Sequence, residues 1–395
     1  MKILHIVGSI DPAAGGPTEA IRMLVRYAPE GYTAELVTLN DPASPFLQDL
    51  PFPVHALGSA RRKWYSPKLL PWLRANRHRF DAVIVHGLWE YTGLAARLAF
   101  SGKLPFVVFA HGMLDPYFKN NFPNKHRKKW IYWLGAEYWV LRGAFRVLFT
   151  TELERDLAAQ SFFLHRWRSM VVPLGTEPLP AAPAVLLSAF AERCPDLVGK
   201  RFLLFLGRIH PKKGCDLLTR AFAQVAAQDP DLHLVMAGPD PNSWRETLEA
   251  ELTAAGVADR VHWPGMLRGH AKWGAFTACE VFVLPSHQEN FGIAAVEALA
   301  SSKPILLGEP VNIAPDAERA GCAFVEPDTL YGTRRLLERW IGLPAAEREA
   351  MGHRALGLFE DAFDMRRNTE RILRVFEGAS PVPVTTEHAG PVESR

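Results

Sequence analysis

Two glutamates with seven residues between them, Glu289 and Glu297, have the type and spacing to bind hydroxyl groups. They follow a predicted strand at 281–285, and the apolar residues around Glu297 predict that it lies on a buried helix face. A buried carboxylate needs hydrogen-bond partners, which ligand hydroxyls would supply, and Glu289 could meet a second set of hydroxyls just before the helix. A structural alternative exists for Glu289, because Ser286-x-x-Glu289 is also a capping box.

A basic turn follows a second predicted strand, at 202–206. It holds Arg208, Lys212 and Lys213 between two glycines. Arginine and lysine side chains bind phosphate groups, and in open α/β sheets ligands bind at the carboxyl ends of the strands. The turn is therefore predicted to clamp a diphosphate, although a solvated basic turn would have the same composition.

A glycine loop follows the first predicted strand. Gly15 and Gly16 precede a predicted helix with Pro17 at its first position and Glu19 in its first turn. Glycines let the backbone approach a ligand closely, and the free N–H groups of a helix start attract anions. The spacing is not that of the dinucleotide-binding fingerprint, and an ordinary flexible loop would have the same residues.

A histidine, His111, follows the predicted strand at 106–110 and would face the cleft of an open sheet. It is a candidate catalytic group, since imidazole exchanges protons near neutral pH. The alternative is structural, because a lone histidine is more often satisfied within the fold. His86 ends the preceding predicted strand, and Trp89 follows it with a ring that fits a binding surface or the core equally well.

Short apolar runs that alternate with helical patterns must position these residues. The alternation predicts parallel sheets with right-handed crossovers. The pattern restarts after a proline-rich linker within 176–200, which predicts two doubly wound domains with a cleft between them. The predicted strands are 3–7, 34–39, 54–57, 82–86, 106–110, 146–150 and 170–173 in the first half, and 202–206, 233–237, 261–263, 281–285 and 304–307 in the second.

The composition agrees with this organisation. The 395 residues, 48% of them hydrophobic and 22% charged, suit two globular domains. The four cysteines are far apart and the histidines are not clustered, so neither a disulfide framework nor a metal site is expected and a reducing cytoplasm fits. The first apolar run is too short for a signal peptide, and no window reaches the roughly 18 uncharged apolar residues of a membrane span.

Together these motifs resemble the retaining glycosyltransferases of family 4, which have the GT-B fold of two Rossmann-like doubly wound domains facing across a cleft. The most specific elements are the two glutamates with Phe291-Gly292 between them and the Gly-Arg-x4-Lys-Gly turn at 207–214, in this order along the chain. The resemblance spans nearly the whole chain. It implies an acceptor-binding domain over 1–180, a nucleotide-sugar domain over 201–360 and a helix over 361–377 that crosses back. The composition predicts a linker over 181–200 between the domains and a disordered tail over 378–395.

The resemblance also implies roles for individual residues, and it favours a functional role for Glu289 over the capping box. Asn290 stands where many members have glycine, and Pro-Leu-Gly-Thr at 173–176 replaces the usual Pro-Asn-Gly, which leaves the donor sugar open. The implied catalytic residues are His111, Arg208, Lys213 and Glu289. The implied donor-binding residues are Gly15, Gly16, Gly238, Met266, Leu267, Asn290, Phe291, Gly292 and Glu297, and the acceptor-side candidates are His86, Trp89 and Asp115.

The expected activity is the transfer of a hexose from a nucleotide-diphosphate sugar to a saccharide acceptor, with retention, without a metal or cofactor, and with no nucleic-acid partner. Two alternatives are a nucleotide-sugar epimerase on a similar scaffold and a catalytically silent sugar-nucleotide-binding subunit. The intact set of Arg208, Lys213, Glu289 and Glu297 argues against a silent subunit.

The charge distribution predicts where the protein works. Residues 1–180 hold 22 Lys+Arg and 14 Asp+Glu, a net charge of +8, and the remaining 23 and 28 make 181–395 net −5. Basic residues lie beside aromatic ones at 61–65 and 125–133, as suits an anionic membrane surface. We therefore expect a cytoplasmic protein that works at the inner face of the membrane. Its expected acceptor is a lipid-linked saccharide in the synthesis of a bacterial surface polysaccharide (exopolysaccharide, O-antigen or lipopolysaccharide). A soluble acceptor is the alternative.

Overall fold

The computed structural model of the protein describes residues 1–11, 16–47, 50–59 and 64–377. Gly15, the basic residues 61–63 and the tail 378–395 lie outside these ranges, so the expectations placed on them stay predictions. Within the described ranges, no helix combines the length and the apolar character needed to cross a membrane.

The first half of the chain forms a sheet of seven parallel strands in the order β3-β2-β1-β4-β5-β6-β7. Each strand lies within two residues of a predicted one. The strands are β1 (Lys2–Val7), β2 (Thr33–Thr38), β3 (Val54–Ala56), β4 (Ala82–His86), β5 (Phe106–Phe109), β6 (Arg146–Phe149) and β7 (Ser169–Val171). The helices are α1 (Gly16–Arg26), α2 (Leu69–Asn76), α3 (Tyr91–Phe100), α4 (Tyr117–Asn121), α5 (Pro123–Tyr132), α6 (Tyr138–Gly143) and α7 (Glu152–Ser161).

The second half forms a sheet of six parallel strands in the order β10-β9-β8-β11-β12-β13. The strands are β8 (Arg201–Leu206), β9 (Leu232–Ala237), β10 (Val261–Gly265), β11 (Val281–Leu284), β12 (Ile305–Gly308) and β13 (Ala323–Glu326). The helices are α8 (Pro183–Arg193), α9 (Cys215–Val225), α10 (Trp244–Ala254), α11 (Gly269–Ala278), α12 (Ile293–Ala300), α13 (Ala314–Arg319), α14 (Leu330–Ile341), α15 (Ala345–Leu358) and α16 (Met365–Arg374).

Apolar side chains cover both faces of the central strands, which explains their continuous apolar sequence. In β4, Val83 and Val85 belong to one buried cluster, while Ala82 and Ile84 belong to another on the opposite face. Residues that alternate along a strand point to opposite faces, so a strand buried on both sides needs apolar residues throughout. β13 was not predicted from the sequence. It is a short, partly exposed edge strand that, among the described strands, pairs only with β12.

The segment 181–200, expected to be a linker, contains helix α8. Its Pro183 occupies the start of the helix, where proline is favoured because its missing N–H group would be unpaired there anyway. Leu186 and Phe190 are buried in the core of the second domain, and Gly274 of α11 lies against the Leu186 carbonyl. Proline therefore marks a helix start here, and most of the expected linker is part of the second domain.

The chain crosses between the two sheets twice, and the two crossings are hydrogen-bonded to each other. Thr176 N–H donates to the Phe363 carbonyl at 3.1 Å, and Met365 N–H donates to the Thr176 carbonyl at 3.1 Å. A Cβ atom at Gly175 would overlap the Phe363 carbonyl, so only glycine fits this approach. After the second crossing, α16 packs against α1 of the first domain.

Candidate active site

The loops after β5, β6 and β11 meet between the two domains. Gln288 Nε2 donates to Asp115 Oδ2 at 2.9 Å, and Asn290 Nδ2 donates to Thr150 Oγ1 at 3.4 Å. The Asn290 side chain lies against Gly112, where a Cβ atom would overlap it. The carboxyl edges of the two sheets therefore face each other across a cleft.

The basic turn at the end of β8 lies beside the first of the two glutamates. Lys213 Nζ forms an ion pair with the Glu289 carboxylate. Gly214 has a φ of +68° and lies against the Pro285 carbonyl, so the turn is held directly against the end of β11. Arg208 is exposed and makes no hydrogen bond or ion pair with residues in the described ranges, which leaves its guanidinium open to a ligand.

The cations of this turn lie close enough to disfavour one another. Burial, followed by the charges of Lys212 and Arg208, lowers the pKa of Lys213 to about 8. The pKa of Lys212 is also lowered, mainly by burial and partly by Arg208. Crowded, partly desolvated cations are stabilised by an anion, and a diphosphate has the charge and the acceptor oxygens to do this.

The structure does not contain the capping box that was the alternative explanation for Glu289. Ser286 Oγ donates to the Lys212 and Gln288 carbonyls at 2.9 and 3.0 Å, and α12 begins only at Ile293. The cap position of α12 is Gly292, with a φ of +70° and no side chain to bind the first N–H groups of the helix. Those N–H groups can donate to an anion, and Glu289 lies just before them in the chain.

The second glutamate, Glu297, is buried within α12, and its Oε1 accepts from Lys272 Nζ of α11 at 2.6 Å. Burial raises the pKa of Glu297, while Lys272 opposes that shift. The charges of Glu19 and Glu177 also raise the pKa of Glu297. Sequence reasoning missed Lys272, because nothing in its own helix distinguishes it from a solvated lysine.

The structure places the other predicted donor-binding residues in different environments. Gly238 has a φ of +147° and lies against the Gly207 carbonyl, so the backbones after β8 and β9 touch. Gly16 begins α1 and is exposed. In the segment after β10, Met266 is 52% exposed while Leu267 is buried. Phe291 is also buried and packs edge-on against Phe363 at 5.7 Å, so its side chain serves packing.

His111 lies at the end of β5 in a strained backbone conformation, with a φ of +49°. Burial lowers the pKa of its imidazole to about 4, so the ring is neutral at physiological pH. Gly112 N–H donates to Glu154 Oε1 at 2.6 Å, and Glu154 Oε2 accepts from Thr150 N–H at 2.6 Å. Glu154, which sequence reasoning missed, thus joins the loops after β5 and β6.

Of the three acceptor-side candidates, the structure contradicts His86, places Trp89 in the core position that was its alternative, and leaves Asp115 a prediction. His86 is 1% exposed and lies behind His111, with its Nδ1 3.1 Å from His111 Nε2, so it cannot touch an acceptor. The Trp89 ring packs among aromatic side chains, its Nε1 donates to the Met113 carbonyl, and Lys129 Nζ lies 4.3 Å from the ring centroid. Asp115 does reach the cleft, where it contacts Gln288.

Glu90 is a cleft residue that sequence reasoning did not identify. Its carboxylate lies against Gly8 at the end of β1, where a Cβ atom would overlap it. The backbone carbonyl of Glu90 accepts from the Tyr132 hydroxyl at 2.8 Å, but its carboxylate makes no hydrogen bond or ion pair with the residues that the structure describes. Burial raises the pKa of this carboxyl to about 7. The sequence signal that could have identified Glu90 was its position just after β4.

Among the described residues, no group of three or more His, Cys, Asp or Glu could hold a metal ion.

Two facing Rossmann-like sheets with a basic turn and a glutamate pair between them define a glycosyltransferase of the GT-B class. The family of glycosyl transferases group 1 matches residues 195–355, and the glycosyl transferase 4-like domain matches residues 15–175. The chain therefore belongs to the group 1 glycosyltransferases of family 4, as the motifs indicated.

Relatives with assigned names agree with this family. The D-inositol 3-phosphate glycosyltransferase of Stackebrandtia nassauensis is 36% identical over 147 residues, which cover 34% of this chain and 32% of that relative. The enzyme of the same name from Actinosynnema mirum is 30% identical over 257 residues, which cover 62% of this chain and 60% of that relative. The GDP-mannose:cellobiosyl-diphosphopolyprenol alpha-mannosyltransferase of Xanthomonas campestris is 25% identical over 403 residues, 98% of this chain and 99% of the relative.

A solved structure confirms the fold. Anabaena HepE, crystallised with UDP and glucose, superposes with a TM-score of 0.75 at 18% identity, covering 96% of this chain and 100% of HepE. At this identity the likeness establishes the GT-B architecture and no more.

Proposed function

We propose that the protein is a retaining hexosyltransferase that moves a hexose from a nucleoside-diphosphate sugar to a lipid-linked saccharide. The observation that carries the proposal is the contact between domains at Asn290 and Gly112, which brings the Lys213–Glu289 pair opposite the loop of His111. Donor-phosphate and sugar-binding groups would then surround one reacting carbon.

The proposed chemistry is electrostatic. As the bond between the hexose and the diphosphate breaks, negative charge grows on the leaving oxygens, and Arg208, Lys213 and the first N–H groups of α12 stabilise it. The acceptor hydroxyl oxygen bonds to the anomeric carbon from the same face, and its proton passes to the departing phosphate. Glu289 would hold donor-sugar hydroxyls, and Glu297 the ribose.

The donor can be identified by thermal shift with UDP- and GDP-hexoses, followed by transfer assays in excess chelator. We expect Glu297→Gln to weaken nucleotide binding, because ribose contacts exist before and during the reaction, and Glu289→Gln to lower kcat mainly. Strict dependence on an added divalent metal would contradict the mechanism. Sugar isomerisation without an acceptor would indicate the epimerase, and binding without turnover the silent subunit.

The lipid-linked acceptor is supported by the surface around α5. Its exposed basic residues Lys125, Arg127 and Lys128 lie in one helix between the exposed Phe122 and Ile131. Phe163 is 87% exposed and stacks near Trp130, with ring centroids 4.6 Å apart. Cations beside exposed apolar side chains suit an anionic lipid surface. The mannosyltransferase of Xanthomonas campestris carries a diphosphopolyprenol acceptor in its name.

Vesicle flotation tests this placement at the membrane. The protein should float with anionic vesicles at low salt, less at high salt, and less again when Lys125, Arg127 and Lys128 are changed to Ser. Lys129 is left intact because it lies over Trp89 within the fold. A control with Arg245, Arg319 and Arg374 changed to Ser loses the same charge from other surfaces and should float like wild type. Absence of flotation at low salt would overturn the membrane placement alone.

A further inference from the structure

A chain of four hydrogen-bonded side chains leads from the active-site histidine into the first domain. His111 Nε2 lies 3.1 Å from His86 Nδ1, and His86 Nε2 lies 3.0 Å from His5 Nδ1. His5 Nε2 lies 2.9 Å from the Tyr32 hydroxyl. His5 and His86 are each 1% exposed, so the interior of the chain is closed to solvent.

The geometry of the three rings is regular. His5 and His86 stack with centroids 5.3 Å apart and planes inclined by 22°, and His86 and His111 do so at 5.4 Å and 17°. The residues come from neighbouring strands: His5 from β1, His86 from β4, and His111 from the end of β5. His5 and His86 therefore use both ring nitrogens within the chain, whereas His111 Nδ1 has no hydrogen-bond partner among the described residues.

The hydrogen bonds in this chain must all point in the same direction. Burial lowers the pKa of His5 to about 3 and that of His111 to about 4, so the rings are neutral. A neutral imidazole has one N–H donor and one acceptor nitrogen. If Tyr32 donates to His5, each ring donates to the next, and His111 accepts at Nε2 and keeps its proton on Nδ1. If Tyr32 accepts, every bond reverses and His111 Nδ1 is bare.

The direction in which Tyr32 donates to His5 is the favourable one. In this pair the Tyr32 phenol is the stronger acid and the His5 imidazole nitrogen is the stronger base. We propose that Tyr32, His5 and His86 are positioning residues that fix the tautomer of His111, so that its Nδ1–H is offered as a donor in the cleft. The purpose of this donor, a hydrogen bond to an oxygen of the reacting sugar, rests on the proposed transfer reaction. The tautomer of His111 itself does not depend on that reaction.

The test uses Tyr32→Phe, which removes the hydroxyl and keeps the ring. Imidazole nitrogen NMR of the full-length protein with labelled histidine, with His111 assigned by its loss in His111→Gln, reports the tautomer. Wild type should have His111 protonated at Nδ1, and Tyr32→Phe should have a mixture of tautomers. Since one directing hydrogen bond is lost, kcat should fall about three- to tenfold with the donor KM unchanged.

The matched control is Tyr138→Phe, a buried tyrosine of the same domain outside this chain, which should change neither spectrum nor kcat. His86→Gln interrupts the chain next to His111 and should shift the tautomer further, which keeps the test decisive if Tyr32→Phe fails to fold. A His111 with bare Nδ1 in wild type, or an unchanged tautomer in both chain variants, would overturn the proposal. Because the NMR readout needs no turnover, failure of the transferase proposal would be seen separately, in the activity assay.

Discussion

Arg208 and Lys213 share one turn but have different surroundings. Lys213 is held by Glu289 and largely enclosed, while Arg208 is exposed and unpaired within the described ranges. An arginine with a free guanidinium can form two parallel hydrogen bonds with a phosphate when one arrives, whereas a lysine acts as a point charge. In the proposed mechanism, the two side chains would therefore hold a leaving diphosphate in different ways.

Replacing either residue tests the clamp. Arg208→Ala or Lys213→Ala should lower kcat by about a hundred- to a thousandfold at saturating donor, because each removes a charge that stabilises the leaving group. The control is Arg220→Ala, an exposed arginine paired with Glu251 on α10, which should keep wild-type kinetics. Near wild-type turnover in either clamp variant would refute the assignment.

Glu137 gives the folded protein a specific pH dependence. Its Oε1 accepts from Trp89 N–H at 2.7 Å, and its Oε2 is buried without a partner in the described ranges. Burial, with Glu90 adding and Lys129 opposing, raises its pKa to about 7. The unfolded chain ionises near the ordinary glutamate value, so the stabilising contribution of the protonated side chain is present at low pH and is lost as the pH rises toward 7.

Glu137→Gln should remove that dependence, because glutamine keeps the acceptor for Trp89 and carries no charge. Calorimetry measures the melting temperatures of the variant and of wild type. We expect the difference between them, variant minus wild type, to increase from pH 5 to pH 8. A constant difference across this range would show that Glu137 does not titrate there. Glu152→Gln, at a largely exposed position in α7, is the control and should give a constant difference.

At the scale of elements, the contact between α8 and α11 joins the segment expected to be a linker to the second domain. Gly274 permits it, since a Cβ atom there would overlap the Leu186 carbonyl and crowd Phe190. Gly274→Ala should therefore destabilise the protein by about 1–3 kcal/mol, through overpacking. Chemical denaturation measures this.

The control for that change is Gly357→Ala, also within a helix but with open space around the added methyl group. Alanine is favoured over glycine in a helix by about 0.5–1 kcal/mol, so this variant should match or exceed wild type. Equal effects of the two substitutions would indicate that α8 does not pack closely on α11 in solution.

At the scale of the whole molecule, the two domains are joined by the paired crossings at 174–176 and 363–368 and by the contact of Gln288 with Asp115 across the cleft. The crossings lie at one side, so contacts across the cleft determine how far it opens. The hydrogen bond that Asp115 accepts from Gln288 therefore helps to hold the two domains together across the cleft. Closure of this kind excludes water from a transfer reaction.

Gln288→Ala removes one of the contacts across the cleft, beside that of Asn290 with Thr150, and should shift the ligand-free protein toward more open arrangements. Small-angle X-ray scattering should give a larger radius of gyration for this variant than for wild type, with the difference reduced at saturating nucleotide. Gln160→Ala, at an exposed position in α7, should scatter like wild type. An unchanged radius in Gln288→Ala would mean that this hydrogen bond does not control the opening.

The sequence by itself determined twelve of the thirteen described strands and the two-domain class, and it identified the motifs that resemble a donor site. Strands buried on both faces must be apolar throughout, and ligand-binding residues must follow them, so both signals are local and readable. β13 and α8 escaped prediction because an edge strand is only partly buried and because proline at a helix start resembles proline in a linker.

Only the tertiary structure decided which of these residues meet. Lys272 pairs with Glu297, and His86 is enclosed behind His111, because neighbouring helices and strands bring together side chains that are distant along the chain. The capping box was excluded for the same reason, since Ser286 bonds to the Lys212 carbonyl of another loop. Residue types limit what a site can do, but hydrogen-bond partners and burial depend on the packing of elements, which no local pattern in the sequence contains.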